Sequence, residues 1–172
     1  MARTSNLPRG ADSFCVAPSP PSCPPVTQSV DQNPAVRLLL INPNISESVS
    51  ALIADEARRT ASPGTSIDVI TAPFGMAYIE TRFEALIGAY AVAQLAAEHY
   101  SKADAIVVAA FGDPGLPAIR ELVPIPVVGM SEAALSSACL LGQRFSIIAI
   151  SSRITAWYRE TVERCEIGRA HV

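Results

Sequence analysis

Short apolar segments alternate with longer, partly apolar segments along the chain from Val36 onward. The longer segments carry apolar residues at the spacing of one helix face, whereas the short ones have the length of strands and few polar residues. Strands that are apolar on both faces are typical of parallel sheets covered by helices on both sides. The pattern therefore predicts an α/β fold with strands at residues 36–41, 66–71, 104–110, 126–130 and 144–150.

The helical segments between these strands indicate how the sheet is wound. Right-handed crossovers leave few arrangements, and the flavodoxin-like order 2-1-3-4 is the one we expect for the first four strands. Helices are predicted behind a capping Ser46 and over residues 82–100, 114–122 and 131–142. Their core-facing residues are expected to be Val49, Leu52, Ile53 and Ala57 in the first helix and Phe83, Leu86, Ile87, Tyr90 and Leu95 in the second.

The charge balance and the cysteines exclude several classes of function. A formal net charge of −3 provides no basic field for nucleic acid or an anionic membrane. No segment approaches the ~20 apolar residues of a membrane span, and we find no secretory signal pattern. The four cysteines show neither CxxC spacing nor a cluster with histidine, so we expect no metal site. These features predict a cytoplasmic protein.

Residues 1–35 differ in composition from the rest of the chain. They are rich in Pro and Ser, as in "VAPSPPSCPPVTQS", and they lack hydrophobic periodicity. Such a segment cannot bury enough apolar surface to offset its loss of chain entropy. We therefore expect residues 1–35 to form a disordered leader, the alternatives being translation from a start codon set too far upstream and a transit peptide.

Two polar loops follow the first and third strands, which are neighbours in the predicted order. In the first loop, "NPNIS", Asn42 and Asn44 offer side-chain amides and Ser46 offers a hydroxyl at the start of a helix. This combination suits a small carboxylate or a cyclic imide in the crevice where open α/β sheets bind ligands. The alternative is turn chemistry alone, in which Asn-Pro-Asn forms a tight turn and Ser46 caps the helix.

The second loop, "FGDPG", combines a glycine with a helix start. Asp113 is predicted to cap the helix whose first residue is Pro114. The backbone N–H groups of Phe111 and Gly112 are candidates for holding an oxyanion in the crevice. Glu132, at the start of the helix after the fourth strand, either contributes to this site or is stabilised there by the helix dipole alone.

Five segments of the chain, in order and with fitting spacing, resemble the hydantoin and allantoin racemases of the aspartate/glutamate racemase superfamily. They are "LLLINPNIS", "VITAPFG", "IVVAAFGDPGL", "IPVVGMSEAAL" and "GQRFSIIAIS". The resemblance implies two similar α/β lobes with the substrate between them, and a racemase that uses no cofactor. It also implies two cysteines on opposite faces of the substrate carbon. One cysteine removes the α-proton as a thiolate while the other delivers a proton.

The resemblance also identifies chemistry that this chain lacks. The family's first cysteine directly precedes the Phe of the Phe-Gly-Asp-Pro-Gly turn, and Ala110 stands there in this sequence. The second cysteine lies on a later strand, which we do not find in the chain. We therefore expect a racemase-family protein for a hydantoin, allantoin or amino-acid-like substrate that is inactive as given. The alternatives are a one-cysteine decarboxylase-like enzyme of the same superfamily and a non-catalytic binding or accessory protein. A homo-oligomer is compatible with all three.

The same resemblance gives the expected domain boundaries. Residues 36–143 correspond to the first lobe, and residues 144–165 to the start of a truncated second lobe. In that second part, Ser151 and Ser152 follow an apolar segment as Asn42 does, and we expect them to join the substrate site. The final "EIGRAHV", residues 166–172, matches the translation of a common sequencing-library adapter. We expect those residues to be foreign to the protein.

Overall fold

The protein is described by a computed structural model that covers residues 35–165 and the backbone of residues 170 and 171. Residues 1–34 of the expected leader lie outside the described residues, as do residues 166–169 and 172 of the expected adapter segment.

Four parallel strands form the main sheet, in the order β2-β1-β3-β4. The predicted order 2-1-3-4 is therefore confirmed. The strands are β1 (Arg37–Asn42), β2 (Ser66–Thr71), β3 (Ala105–Val108) and β4 (Val127–Gly129). Because β1 is central, its Leu38 pairs with Ile67 of β2 on one side and with Ala105 of β3 on the other.

Helices follow the strands in alternation. The α-helices of the described ranges are α1 (Glu47–Thr60), α2 (Arg82–His99), α3 (Leu116–Leu122), α4 (Met130–Leu141) and α5 (Thr155–Arg164), and short 3-10 helices span Tyr100–Lys102 and Ser152–Ile154. α2 begins after Thr81, whose hydroxyl accepts a hydrogen bond from the Glu84 N–H at 3.2 Å. That bond satisfies one of the N–H groups that the first turn of a helix leaves free. No helix in these ranges is both long and apolar enough to cross a membrane.

The hydrophobic core lies between the central strands and helices α2 and α3. Ile41 of β1 and Ile106 of β3 are fully buried, and Val92 of α2 and Ile119 of α3 pack into the same cluster. The side chains of the central strands are thus apolar because they pack against helices. This is the arrangement that the apolar strands predicted.

The predicted core face of α2 is wrong in part. Leu95 is buried and Ile87 is half-buried, but Phe83, Leu86 and Tyr90 are exposed. The helix instead buries its small residues, since a Cβ on Gly88 would lie only 3.1 Å from the Pro43 carbonyl oxygen. Close approach of the backbone therefore decides which face of this largely apolar helix turns inward. In α1, the expected core residue Leu52 is likewise exposed, whereas Val49, Ile53 and Ala57 are half-buried.

The predicted fifth strand, residues 144–150, forms only as the two-residue strand β5 (Phe145–Ser146). It pairs in parallel with β6 (Ala170–His171), separately from the main sheet. A strand is stabilised by a neighbour of matching length, and β6 offers only two residues in the described part of the chain. Ile148 and Ile150, expected in this strand, are consequently exposed.

The exposures of two isoleucines yield a stability test of this core. Ile106→Ala should lower the free energy of unfolding by about 2–5 kcal/mol, because it opens a cavity beside the central strand. Ile148→Ala, at a side chain that is 97% exposed, should change it by less than about 0.5 kcal/mol. Urea unfolding followed by circular dichroism measures both values. Equal losses for the two variants would contradict the core assignment.

Candidate active site

The two polar loops lie together at the carboxyl edge of the sheet. Ile41 pairs with Val108, and the Ala109 N–H then donates to the Ile41 carbonyl oxygen at 2.9 Å. Asn42 therefore follows directly after the last β1 residue that pairs with β3, and Ala110 comes two residues after its partner Val108. The juxtaposition of "NPNIS" and "FGDPG" expected from the strand order is present, at the edge where open α/β sheets bind ligands.

Asn42 organises the first loop from within. Its side chain is fully buried, and Nδ2 lies 3.1 Å from Asn44 Oδ1, 2.9 Å from Ser50 Oγ and 3.3 Å from the Ser46 carbonyl oxygen. Its Oδ1 accepts a hydrogen bond from the Asn44 N–H at 3.2 Å. Both ends of the amide are thus engaged in the turn, so the turn-chemistry interpretation accounts for Asn42.

A chain of hydrogen bonds continues from Asn42 to the end of β2. Ser50 Oγ lies 2.7 Å from Thr71 Oγ1, which donates to Glu47 Oε2 at 2.9 Å. An ionised carboxylate only accepts, so Glu47 fixes the direction: Thr71 donates to Glu47 and Ser50 donates to Thr71. We did not single out these three residues from the sequence. The available signal was that Thr71 ends the strand paired with β1, directly beside Asn42.

Asn44 and Ser46 complete this turn. Asn44 Oδ1 accepts a hydrogen bond from the Ser46 N–H at 2.9 Å. Ser46 occupies the cap position of α1, but its side chain makes no capping bond and instead lies 2.9 Å from Ser48 Oγ. The predicted side-chain cap is therefore wrong. Among the described residues, Asn44 Nδ2 takes no part in the hydrogen bonds of this turn.

Asp113 caps a different helix from the one predicted. Its carboxylate is buried, with Oδ1 accepting from the Ser131 N–H at 2.8 Å and Oδ2 from the Glu132 N–H at 2.9 Å. These are N–H groups of the first turn of α4, whereas α3 begins only at Leu116, behind Gly115. The expected cap by Asp113 on a helix starting at Pro114 is therefore wrong. Asp113 reaches α4 because its φ is +50° and because Gly129 has no Cβ, which would overlap the Asp113 carboxyl group.

Gly112 is held by a hydrogen bond from its N–H and by close packing against Trp157. Its N–H donates to the buried Ser131 Oγ, so this N–H is not free to hold a substrate oxyanion as predicted. Its φ of +102° favours glycine, and a Cβ at this position would overlap the indole ring of Trp157. The neighbouring Phe111 ring contacts Tyr158 with a centroid distance of 4.8 Å. Helix α5 therefore packs on the "FGDPG" loop, beside a cavity of about 380 Å³ lined by Phe111 and Tyr158.

Two carboxylates near the loop differ in their electrostatics. Burial raises the pKa of Asp113 above its ordinary value, against the opposing effect of the hydrogen bonds from Ser131 and Glu132. The Glu132 carboxylate instead meets the Arg120 guanidinium, with Oε1 2.8 Å from Nη2 and Oε2 3.0 Å from Nη1. Those hydrogen bonds lower the pKa of Glu132. The Glu132 side chain is thus engaged in an ion pair with Arg120, and its N–H donates to the capping Asp113. Neither contact requires a substrate.

The remaining predicted site residues carry little reactive chemistry. Ala110 is half-buried, and its carbonyl oxygen accepts from the Asp113 N–H at 3.2 Å. Ser151 Oγ accepts from the Arg153 N–H at 3.2 Å, and Ser152 is exposed in the same turn. Within the described ranges, no group of His, Cys, Asp and Glu residues could hold a metal ion.

Comparison with known proteins places this arrangement in a family. The family model for Asp/Glu/Hydantoin racemase matches residues 38–172. The chain belongs to the Asp/Glu/Hydantoin racemase family. It is 39% identical over 131 residues to a hydantoin racemase from Paenarthrobacter aurescens, covering 75% of this chain and 56% of that protein. With a hydantoin racemase from Pseudomonas sp. (strain NS671) it shares 30% identity over 129 residues, covering 74% of this chain and 52% of the relative.

Solved structures of this racemase family share the fold. An allantoin racemase from Klebsiella pneumoniae superposes with a TM-score of 0.76 at 34% identity, covering 80% of this chain and 58% of its own. An allantoin racemase from Pseudomonas fluorescens gives 0.74 at 32% identity, covering 78% of this chain and 60% of its own. The chain thus spans about half the length of the curated relatives it matches.

The contact between Gly112 and Trp157 can be tested in this racemase-family protein by fluorescence, because Trp157 is the only tryptophan. Gly112→Ala should displace the indole and shift its emission to longer wavelength, besides destabilising the fold. Gly64→Ala is the matched control, since Gly64 has a φ of +84° but nothing within 4 Å of an added Cβ. That control should cost only the ~1–2 kcal/mol of backbone strain and leave the emission unchanged. An unchanged emission spectrum in folded Gly112→Ala would refute the contact.

The buried carboxylate gives a prediction for pH. Because the folded-state pKa of Asp113 is raised, its stabilising contribution is complete at low pH and is lost as the pH rises from about 4 through the folded value. Asn tolerates a positive φ and does not titrate. The stability of the wild type relative to Asp113→Asn should therefore decrease with rising pH, measured by urea unfolding between pH 4 and 7. An increase instead would mean that the two N–H donors outweigh desolvation.

Proposed function

We propose that the protein has the substrate site of a cofactor-independent racemase or epimerase of this family, for a reaction at the carbon α to a carbonyl in a hydantoin, allantoin or amino-acid-like substrate, and that the chain as given is inactive because Ala110 supplies no base. The substrate would lie at the carboxyl edge of β1 and β3, between the "NPNIS" and "FGDPG" loops. The observation that carries this proposal is the placement of Ala110. It lies two residues after the end of β3, a strand that pairs with β1 ahead of the Asn42 turn, and it precedes a loop that Asp113 holds in place.

Hydrogen bonding determines which candidate groups are left for substrate. Asn42, Gly112 and the first N–H groups of α4 are engaged within the protein. We assign substrate oxygens to Asn44 Nδ2, to the Phe111 N–H and to the Ser151 and Ser152 hydroxyls. Donors of this kind stabilise the enolate-like charge that develops when the α-proton leaves.

The reaction needs a base on each face of the substrate carbon, and Ala110 supplies none. A thiolate at this position would remove the α-proton and a second thiol would return a proton from the other face. The other cysteines of the described ranges do not replace it, because Cys139 lies within α4 and Cys165 follows α5. The chain as given should therefore bind substrate without racemising it.

Restoring the base tests the proposal. Ala110→Cys should exchange the α-proton of one enantiomer of a 5-substituted hydantoin for deuterium in heavy water, on the order of 100-fold faster than the wild type. Proton exchange needs only one base, and NMR near neutral pH measures it.

Ala109→Cys is the matched control, since Ala109 is the preceding residue and is buried. It should exchange at the wild-type rate. Hydantoin binding is followed separately by the fluorescence of Trp157 beside the loop. Ala110→Cys protein that is folded and binds the hydantoin, yet exchanges no faster than Ala109→Cys, would count against the proposed chemistry.

A further inference from the structure

A cavity of about 250 Å³ opens at the amino edge of the main sheet, where β1 and β2 begin. Arg37 and Ser66, the first residues of these strands, pair with each other and line it. His99 at the end of α2 and Lys102 of the following 3-10 helix line its other side. We refer to it as the amino-edge cavity. Because β1 is six residues long, about 17 Å separate this cavity from the candidate active site at the carboxyl edge.

Asp68 of β2 brings a carboxylate to the face of the sheet that α2 covers. It pairs with Leu39 of β1, and paired residues of neighbouring strands project to the same side. Leu39 is buried in the core cluster with Leu95 of α2. Thr71, three residues after Asp68, projects to the other side, where its hydroxyl donates to Glu47 of α1. The Asp68 carboxylate therefore lines the amino-edge cavity beside a buried leucine.

An ion pair fixes one wall of the amino-edge cavity. Arg37 Nη2 lies 2.9 Å from Asp104 Oδ1, and the Arg37 N–H donates to Asp104 Oδ2 at 2.8 Å. The Asp104 N–H in turn donates to the Arg37 carbonyl oxygen at 2.8 Å. These two charges satisfy each other, so the charge that a ligand would meet in the cavity comes from other residues.

Two opposite charges of the amino-edge cavity are left without a partner. Among the described residues, neither Lys102 nor Asp68 forms an ion pair. They line one cavity, yet they lie too far apart to pair with each other. The half-buried His99 adds a ring nitrogen and Ser66 adds a hydroxyl to the same lining. The cavity thus offers hydrogen-bond donors for an anionic group and a carboxylate for a cationic group.

We infer that the amino-edge cavity binds a small zwitterion, an aliphatic α-amino acid, with its carboxylate at Lys102 and His99 and its ammonium group at Asp68. A simple anion would be repelled by Asp68 and a simple cation by Lys102, so the pair selects a molecule that carries both charges. Leu39 and Ala103 supply apolar lining for a short aliphatic side chain. The volume lies below the ~300–1,000 Å³ of sites for drug-sized ligands, which restricts the ligand to a small one. The site does not depend on the chemistry proposed at the carboxyl edge.

Calorimetric titration of the full 172-residue chain with L-valine tests this site. L-Valine carries both charges and a short aliphatic side chain. Isovalerate is valine without its amino group, and isobutylamine is valine without its carboxylate. Because each of these probes loses one charge-assisted contact and faces one repulsion, L-valine should bind at least about 10-fold more tightly than either.

Charge-removing variants show which residues hold the zwitterion. Lys102→Ala and Asp68→Asn should each weaken L-valine binding by about 10-fold or more. Arg58→Ala and Asp55→Asn are the matched controls, because they remove one exposed charge of each sign from α1. Both controls should bind L-valine with the wild-type affinity. Circular dichroism confirms that each variant keeps its helical content.

The position of the ligand can be read at Lys102, which is the only lysine of the chain. Reductive methylation with isotope-labelled formaldehyde keeps its charge and gives one lysine methyl signal in the NMR spectrum, beside that of the N-terminal amine. L-Valine should shift the Lys102 signal. The fluorescence of Trp157, beside the "FGDPG" loop, should stay unchanged and so separates this site from the candidate active site.

Three outcomes would overturn the inference. No binding of L-valine at millimolar concentration would mean that water alone satisfies these charges. Equal affinities for L-valine and isovalerate would make the cavity an anion site in which Asp68 has no part. Binding that persists unweakened in Lys102→Ala, with no shift of the Lys102 signal in the methylated wild type, would place L-valine elsewhere on the protein.

Discussion

The carboxylate of Asp113 is the contact on which the candidate site depends. It accepts hydrogen bonds from two N–H groups of the first turn of α4, and so joins the loop after β3 to the helix after β4. Two glycines allow the loop after β3 to lie this close to α4. Gly129 leaves room for the carboxyl group, and Gly112 lets the chain turn so that its N–H reaches Ser131 Oγ. The residues of the "FGDPG" sequence therefore have a structural role, which is to hold this loop against the start of α4.

This contact changes what the site can do chemically. A helix N-terminus at the carboxyl edge of a parallel sheet is normally available to an anion. In α4, N–H groups of the first turn already donate to the Asp113 carboxylate. The Glu132 carboxylate accepts hydrogen bonds from the Arg120 guanidinium. The turn after β1 is similar, since Asn42 bonds to its own loop and to Ser50. Most polar groups of both loops thus stabilise the loops, and few remain to bind a substrate.

The sequence predicted the sheet because its strands are apolar on both faces and its connections are short, and these two facts leave few topologies. It failed where a contact joins residues far apart in the chain. The capping rule assigned Asp113 to the helix directly after it, whereas its partners are Ser131 and Glu132. Periodicity also failed for α2, because a helix that is apolar on every face has no single stripe to identify. There, the close approach at Gly88 decided the orientation.

The side chain of residue 110 has no part in the hydrogen bonds that hold the two loops. The "NPNIS" loop is held by the bonds of Asn42 and Asn44, and the "FGDPG" loop by those of Gly112 and Asp113. Ala110 contributes only its backbone, through the bond from the Asp113 N–H. A methyl group or a thiol at this position would leave those networks unchanged. The hydrogen bonds that hold both loops therefore do not depend on which side chain residue 110 carries.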